Sequence, residues 1–431
     1  MSTGHKPTVL IVGAGLGGLM LGTLLEKSNV PYAIFERAAA VKPLGAGMSV
    51  GPTLLPLFEQ LGIYEEFLSI GKYLTHTPNF KESLEPYPPI DHSPVEEFAG
   101  YGQYIVARPK LYELILRQVP AHKVHFGHRV LNISEKEDKV TVHLANNSTF
   151  EGDIIVGADG AYSAVRQRMY EQLRVKGALP KSDQEELPFS CTCLVGQTKV
   201  LDPEEYPIVK EPLCQFRSVF GDEKPFTVSR LDLKAAMEQR FRNSENSEWG
   251  DIPAQTMCNE TRSFPVLFGQ GKNTLGHIYD LTPKEQMSKV MLEEKVFKTW
   301  HSGRVVLLGD GAVTAMHDAL AFANLLYAMP ATTSQEVTKI FEVYQKERYP
   351  AVMESFKNSQ QMSMIADKSI AGSIFFYLIH NMPFWLWRLV LAKTVRFRPQ
   401  AGFLSSVEVK GTIAPVPSPS EQKARAVFEK Q

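Results

Sequence analysis

The segment PTVLIVGAGLGGLMLGTLLEKSNVPYAIFER, Pro7 to Arg37, constrains the fold more than any other part of the chain. Thr8 to Val12 is apolar and β-branched, as a buried parallel strand requires. It runs into Gly13-Ala14-Gly15-Leu16-Gly17-Gly18, then a helical pattern from Leu19 to Lys27, then a second strand from Tyr32 to Phe35 ending in Glu36. Each glycine has a physical reason. Gly13 permits the tight turn, Gly15 lets backbone approach a pyrophosphate, and Gly18 lets the helix pack closely on the strand. The helix N-terminus then turns unpaired N–H groups towards phosphate oxygens. Glu36 is placed to accept hydrogen bonds from a ribose 2′-hydroxyl and would repel a 2′-phosphate. Strand, glycines, helix, strand and acid in this order predict a dinucleotide site, which a lone glycine motif would not.

The rest of the composition excludes more than it assigns. A chain of 431 residues has room for about two or three domains. Its net charge of −1 gives no global field for nucleic acid, and no nucleic-acid partner is expected. The four cysteines, Cys191, Cys193, Cys214 and Cys258, are too few for a disulfide framework. They read as buried thiols of a reducing compartment rather than metal ligands, and no metal site is expected. Nothing at the N-terminus reads as a secretory signal, so an intracellular, cytoplasmic or peripherally membrane-associated protein is expected.

Two later motifs repeat the strand-to-helix theme. In FEGDIIVGADGAYSAVRQRM a strand over Asp153–Val156 leads through Gly157-Ala158-Asp159-Gly160 to a helix near Ser163. Ser163 serves there either as an N-cap or as a ligand contact, and Arg166 either pairs with a carboxylate or faces a ligand. In GRVVLLGDGAVTAMHDALAFANLL a buried strand reaches Gly309-Asp310 and, after Gly311, enters a helix almost at once.

On these three motifs, in this order, the chain resembles the FAD-dependent monooxygenases of the aromatic-hydroxylase (class A flavoprotein) type, particularly their fungal epoxidase and hydroxylase branch. DGAYSAVR, Asp159 to Arg166, matches the family's Asp-Gly motif, and GRVVLLGD, Gly303 to Asp310, the start of its Gly-Asp motif. VARPKLYELIL, Val106 to Leu116, resembles the helix whose leading arginine, here Arg108, sits near the FAD phosphate and ribityl chain. LGAGMSVGPTLLPLFEQLGI, Leu44 to Ile63, resembles the loop and helix beside the isoalloxazine, with Gly47 in that loop. The likeness runs from about Pro7 to Phe403.

The resemblance implies an α/β fold: a Rossmann-type FAD-binding domain, a mixed or antiparallel sheet domain for the substrate, and C-terminal helices. The FAD domain would take residues 1–186 and 301–368, the substrate domain 187–300, an apolar helical segment 369–413, and a disordered tail 414–431. The cofactor contacts it implies are Gly13, Gly15, Gly18, Glu36, Arg37, Gly47, Arg108, Asp159, Gly160, Asp310 and Gly311. It implies FAD as cofactor, NAD(P)H as transient reductant, and hydroxylation or epoxidation of a small lipophilic or aromatic substrate. The cofactor carries that chemistry, and no catalytic side chain is assigned. The Gly-Trp-x-Trp-x-Ile-Pro signature of flavin-dependent halogenases is absent.

One departure from the family leaves a second reading open. The family carries a proline-containing loop between Gly-Asp and the helix, and here that loop is missing; His317 stands where the proline would fall. The loop and helix end face the flavin's pyrimidine edge, where N–H donors stabilise negative charge. Gly311 is expected to bend so that the helix end still reaches the flavin. The alternative is a catalytically impaired or flavin-free relative acting as a ligand- or partner-binding protein. His317, beside Asp318, reads as structural.

Further along, FSCTCLVGQTKV, PLCQFRSVFG, PFTVSRLDL and LGHIYDL predict strands of an antiparallel sheet. Arg217, Arg230 and His277 within it declare no substrate. The apolar stretch SIAGSIFFYLIHNMPFWLWRLVLAKTVRFRPQ is broken at His380, Asn381 and Pro383, so neither half reaches the ~20 residues of a spanning helix. Trp385 and Trp387 with the basic flank Arg388, Lys393, Arg396 and Arg398 fit either an interfacial membrane contact over 369–398 or a helix pair packed on the flavin domain or on a dimer partner.

Overall fold

The computed structural model describes residues 6–40, 47–185, 189–210, 215–220, 226–231, 236–242, 251–267, 273–293, 295–309, 311–366 and 370–431. Its first sheet contains β1 (Val9–Val12), β2 (Tyr32–Glu36), β3 (Val124–Phe126), β4 (Ile154–Gly157), β5 (His301–Ser302) and β6 (Val305–Leu307), in the order β5-β6-β4-β1-β2-β3. All neighbours are parallel except β5 and β6. β1 lies central, with Val9 to Val12 opposite Ile154 to Gly157 on one side and Tyr32 to Phe35 on the other.

The continuous apolar run of β1 follows from two covered faces. Val9 and Ile11 join a core with Leu19, Met20, Leu320, Phe322 and Tyr344. These belong to α1 (Leu16–Lys27), α4 (Ala312–Tyr327) and α5 (Ser334–Ala366). Leu10 and Val12 point the other way, onto Val165 and Met169 of α3 (Ala164–Val175) and onto Val130, Val140 and Val142 of a three-stranded antiparallel sheet. A further helix, α2 (Arg108–Leu116), joins the first core through Leu111, Leu114 and Ile115.

The second sheet has the order Met287–Glu293, Phe189–Gln197, Ala236–Arg242, Phe226–Leu231, Gln215–Phe220, Asn79–Lys81. It is antiparallel except at its last pair. That edge strand corrects the expected division at residue 187, since it comes from within the first segment: Ser218 pairs Asn79 and Phe220 pairs Lys81. LGHIYDL is not a strand. Leu275–Asp280 is helical, because Leu275, Ile278 and Tyr279 are buried with a spacing of three and four. Cys193 lies buried in the strand Phe189–Gln197, and burial pushes the buried Cys258 thiol up to about 11. Cys214 and the side chain of Cys191 lie outside the described residues. Among the described residues no group of His, Cys, Asp or Glu could hold a metal ion.

The C-terminal part brings a second correction. The expected disordered tail contains α8 (Pro419–Phe428), whose Ala424 joins the first core. Ser418 Oγ accepts from the Glu421 N–H, Pro419 opens the helix, and Ser-x-x-Glu is a capping-box sequence. Ala424 is fully buried, and Ser420 donates from N–H (2.8 Å) and Oγ (2.7 Å) to the Glu347 carboxylate of α5. Pro and Ser composition suggested disorder; helix-capping chemistry prevails.

Before it, α6 (Ile370–His380) and α7 (Phe384–Thr394) are bent apart. No single described helix is long and apolar enough to cross a membrane; only the broken pair passes by composition, with a 102° bend between Gly372–His380 and Phe384–Thr394. Phe376 of α6 meets Phe220 edge-on at the second sheet. Leu391 and Val395 bury against Val95, Phe98 and Ala99, and Arg388 forms a bidentate pair with Glu97.

Candidate functional site

The carboxyl ends of β1, β2 and β4 open on a cleft of about 560 Å³. Its floor is the turn after β1. Gly13 holds φ +105°, and a side chain there would place Cβ 2.4 Å from the Ala158 carbonyl oxygen. At Gly18 a Cβ would lie 2.0 Å from the Gly13 carbonyl oxygen, so only glycine lets α1 come this close. α1 starts after Gly15 with no side-chain cap, leaving its first N–H groups directed into the cleft.

Glu36, at the end of β2, lines the cleft and ties the turn together. Its Oε2 accepts from the Ala14 N–H at 3.0 Å and its Oε1 from the Ala38 N–H at 2.8 Å. Each oxygen retains acceptor capacity for a hydroxyl. The charge around it is cationic: Arg37, Arg108, Arg129 and Arg168 all line the cleft, against Glu36 and Asp159. Of these, Arg168 is shared with Glu171 at 2.7 Å. Arg108 is the first residue of α2, as its motif led one to expect. Arg129 and Arg168 carried no sequence signal, since an isolated arginine in a surface pattern reads as solvated.

Asp159 and Gly160 form the wall after β4. Asp159 Oδ2 accepts from the N–H groups of Ala164 (2.6 Å) and Val165 (3.3 Å), holding the start of α3. Its Oδ1 is buried with no hydrogen-bond partner among the described residues, and burial raises its pKa above the ordinary carboxylate range. Ser163 is an N-cap, accepting from the Arg166 N–H at 2.9 Å. The Arg166 guanidinium donates to the Ala161 carbonyl at 2.6 Å and lies 4.4 Å over the Phe297 ring.

The third wall is the short turn from β6 to α4. Asp310 lies outside the described residues. Gly309, before it, donates its N–H to Asp318 Oδ2 at 2.9 Å, and Asp318 Oδ1 accepts from Arg348 Nε at 2.6 Å with both side chains buried. Gly311 does not bend as expected: its φ of −64° and ψ of 121° suit any residue. The helix nevertheless reaches the cleft, where Ala312 and Ala315 form part of the lining beside Gly17. A Cβ on Gly17 would stand 2.8 Å from that of Ala315, so α1 and α4 bring their N-termini side by side. Gly311 itself lines a neighbouring cavity rather than the cleft.

Gly18 acts behind the lining, through packing. Gly47 is outside the lining too, paired with Ala107 one residue before Arg108. His317 is buried; its Nε2–H donates to the Thr53 carbonyl at 2.9 Å, and burial first, then the Arg348 charge, lowers its pKa to about 3. A neutral imidazole tied to backbone has a structural role.

Comparison with known proteins agrees with this geometry. The model of the family described as FAD binding domain matches residues 6–185. The FAD-dependent monooxygenase ausM of Aspergillus calidoustus is 27% identical over 81% of this chain and 78% of its own. The FAD-dependent monooxygenase ptmM of Penicillium ochrochloron is 27% identical over 82% of this chain and 87% of its own. Among solved structures, Klebsiella pneumoniae HpxO, complexed with FAD and uric acid, superposes with a TM-score of 0.69 at 18% identity, covering 90% of this chain and 96% of that one. CtdE in complex with FAD and a substrate gives 0.69 at 15% identity, over 90% and 98%.

Proposed function

For a chain that belongs with the FAD-dependent monooxygenases, we propose that the cleft between β1, β4 and α4 holds FAD and that the protein oxygenates a small lipophilic or aromatic molecule at the expense of NAD(P)H and O2. The observation that carries this is the convergence of three separate motifs on one cleft, with two helix N-termini and four arginines around it. The residues fit the group. Gly13 and Gly15 admit the pyrophosphate, the arginines and the N-termini of α1 and α4 balance its charge, and Glu36 offers an acceptor to the adenosine ribose. Asp159 Oδ1, buried and without a hydrogen-bond partner among the described residues, lies in the same wall. When bound, FAD supplies hydride acceptance and the activation of oxygen. The chain's part is to orient the cofactor, to exclude water and to stabilise negative charge through the N–H groups at the start of α4, which stands at the cleft despite the short Gly309–Gly311 turn.

The flavin-free alternative has less support, because the turn after β1 keeps packing against Ala158 and α4 that only glycine allows. The test is the visible spectrum of the purified full chain with the flavin released on heating. Stoichiometric flavin and NAD(P)H oxidation stimulated by a prenylated or aromatic compound support the proposal; a colourless protein that takes up no added FAD overturns it.

A lipophilic substrate also gives sense to the exposed face of α6 and α7. Ile370, Tyr377, Trp385 and Leu389 are each more than half exposed. We assign this face to the surface of an intracellular membrane, with Lys393 at its basic edge. Co-sedimentation with anionic vesicles, lost in Trp385→Ser/Leu389→Ser, supports that assignment; no sedimentation of the parent protein refutes it.

A further inference from the structure

Helix α5 carries a second face besides the one that anchors Asp318. Phe341, Tyr344 and Arg348 are buried. Glu342, Gln345, Lys346 and Tyr349, at helical spacings of three and four, stand side by side along an open groove of about 550 Å³. The opposite wall is the chain leading into β5, with Lys298 and His301. Gln345 ties the two walls together, donating from Nε2 to the Lys298 carbonyl at 2.7 Å. The groove shares no lining residue with the cofactor cleft or with the cavity beside the short turn. Its remaining polar groups are uncommitted: among the described residues, the side chains of Lys298, His301, Glu342, Lys346 and Tyr349 make no hydrogen bond or ion pair.

We infer that this groove binds a hydroxylated phosphomonoester of the size and polarity of a sugar phosphate. Convergent polar side chains around a depression are what a small-molecule site requires, and their chemistry selects the ligand. Two ammonium groups against one carboxylate leave a positive surplus for a phosphate. Burial lowers the pKa of His301 below its ordinary value, so its ring adds a neutral donor and acceptor rather than a third charge. Glu342 separates the ligand from a bare anion, since a carboxylate repels free phosphate but accepts from a hydroxyl on the same molecule. Tyr349, packed on Trp300 with 5.8 Å between ring centroids, adds an apolar face and a phenolic hydroxyl. The groove is as large as the cofactor cleft and has room for such a molecule.

Calorimetric titration of the purified full chain, in the presence of excess FAD, with glucose 6-phosphate, glucose and inorganic phosphate tests this. Glucose 6-phosphate is expected to bind saturably at one site. Glucose and inorganic phosphate should each bind more weakly by about tenfold or more, as the loss of a hydrogen bond to a charged group implies. Lys298→Gln/Lys346→Gln should abolish binding without changing the unfolding temperature, because both side chains are exposed and unpaired among the described residues. Glu342→Ala should narrow the gap between glucose 6-phosphate and inorganic phosphate from both sides, weakening the first and strengthening the second. Glucose or inorganic phosphate bound as tightly as the sugar phosphate, binding that survives the double lysine variant, or no saturable uptake overturns the inference. Flavin content is scored on the same samples, so a chain that holds FAD yet ignores the sugar phosphate fails only this inference, and a colourless chain that binds it fails only the cofactor reading.

Discussion

Two turns in one sheet solve the same problem by different means. After β1 and after β6 the chain leaves a buried strand, crosses a few residues and delivers a helix N-terminus to the cleft. The first turn depends on glycine: Gly13 takes φ +105°, and Gly18 leaves room that any side chain would fill. The second uses an ordinary backbone at Gly311 and is held from a distance, by Gly309 on Asp318 and Asp318 on Arg348 of another helix. A turn of the first kind is written in adjacent residues. A turn of the second kind is written across thirty positions of chain and is fixed only when α5 packs.

The contrast can be broken most forcefully at its remote anchor. Asp318→Ala leaves Arg348 charged and unpaired in the core and should cost about 3–5 kcal/mol, read as a lowered urea midpoint together with weakened flavin retention. A midpoint like that of the parent protein would show that the second turn needs no anchor. Next comes Gly13→Ala, where overpacking against the Ala158 carbonyl should cost about 1–3 kcal/mol and strip flavin from a chain that still folds; flavin content is the measurement.

His317 sharpens the picture through pH. Its folded-state pKa of about 3 lies below the ordinary 6.5, so the unfolded chain takes up the proton first as pH falls. The associated stability is complete above about 6.5 and is lost progressively towards 3, approaching ~1.4 kcal/mol per pH unit. His317→Gln should flatten the denaturation midpoint against pH in that window, and an unchanged slope would place the titration elsewhere. The smallest effect belongs to Gly311→Ala: with φ of −64° it should shift stability by less than ~1 kcal/mol and leave flavin content intact. A large loss there would mean that the two turns are alike after all.

The same distinction explains what could be read from the sequence. β1, α1, β2 and Glu36 follow from a contiguous pattern, and Arg108 and Asp159 from short motifs beside their own strands; all of these come together in the cleft. Arg129 and Arg168 escaped because nothing local separates a cleft arginine from a solvated one. Leu275–Asp280 is a short apolar run that fits either period until its buried positions are known. α8 is masked in the sequence by a Pro/Ser composition that favours disorder, while the cap at Ser418 starts a helix. The edge strand Asn79–Lys81 owes its place to pairing with a partner more than a hundred residues away, which no local pattern encodes.

The order of strands in the first sheet also governs when a cofactor can be held during folding. β1 needs β4, β4 needs β6, and the last wall is the start of α4, so the cleft joins residues from Gly13 to Ala315. Contacts so far apart in sequence form late and slowly. A nascent chain that has released only its glycine-rich turn owns a fingerprint but no container. Capture of the cofactor therefore marks completion of folding, and by binding only the finished form it draws the last equilibria towards it.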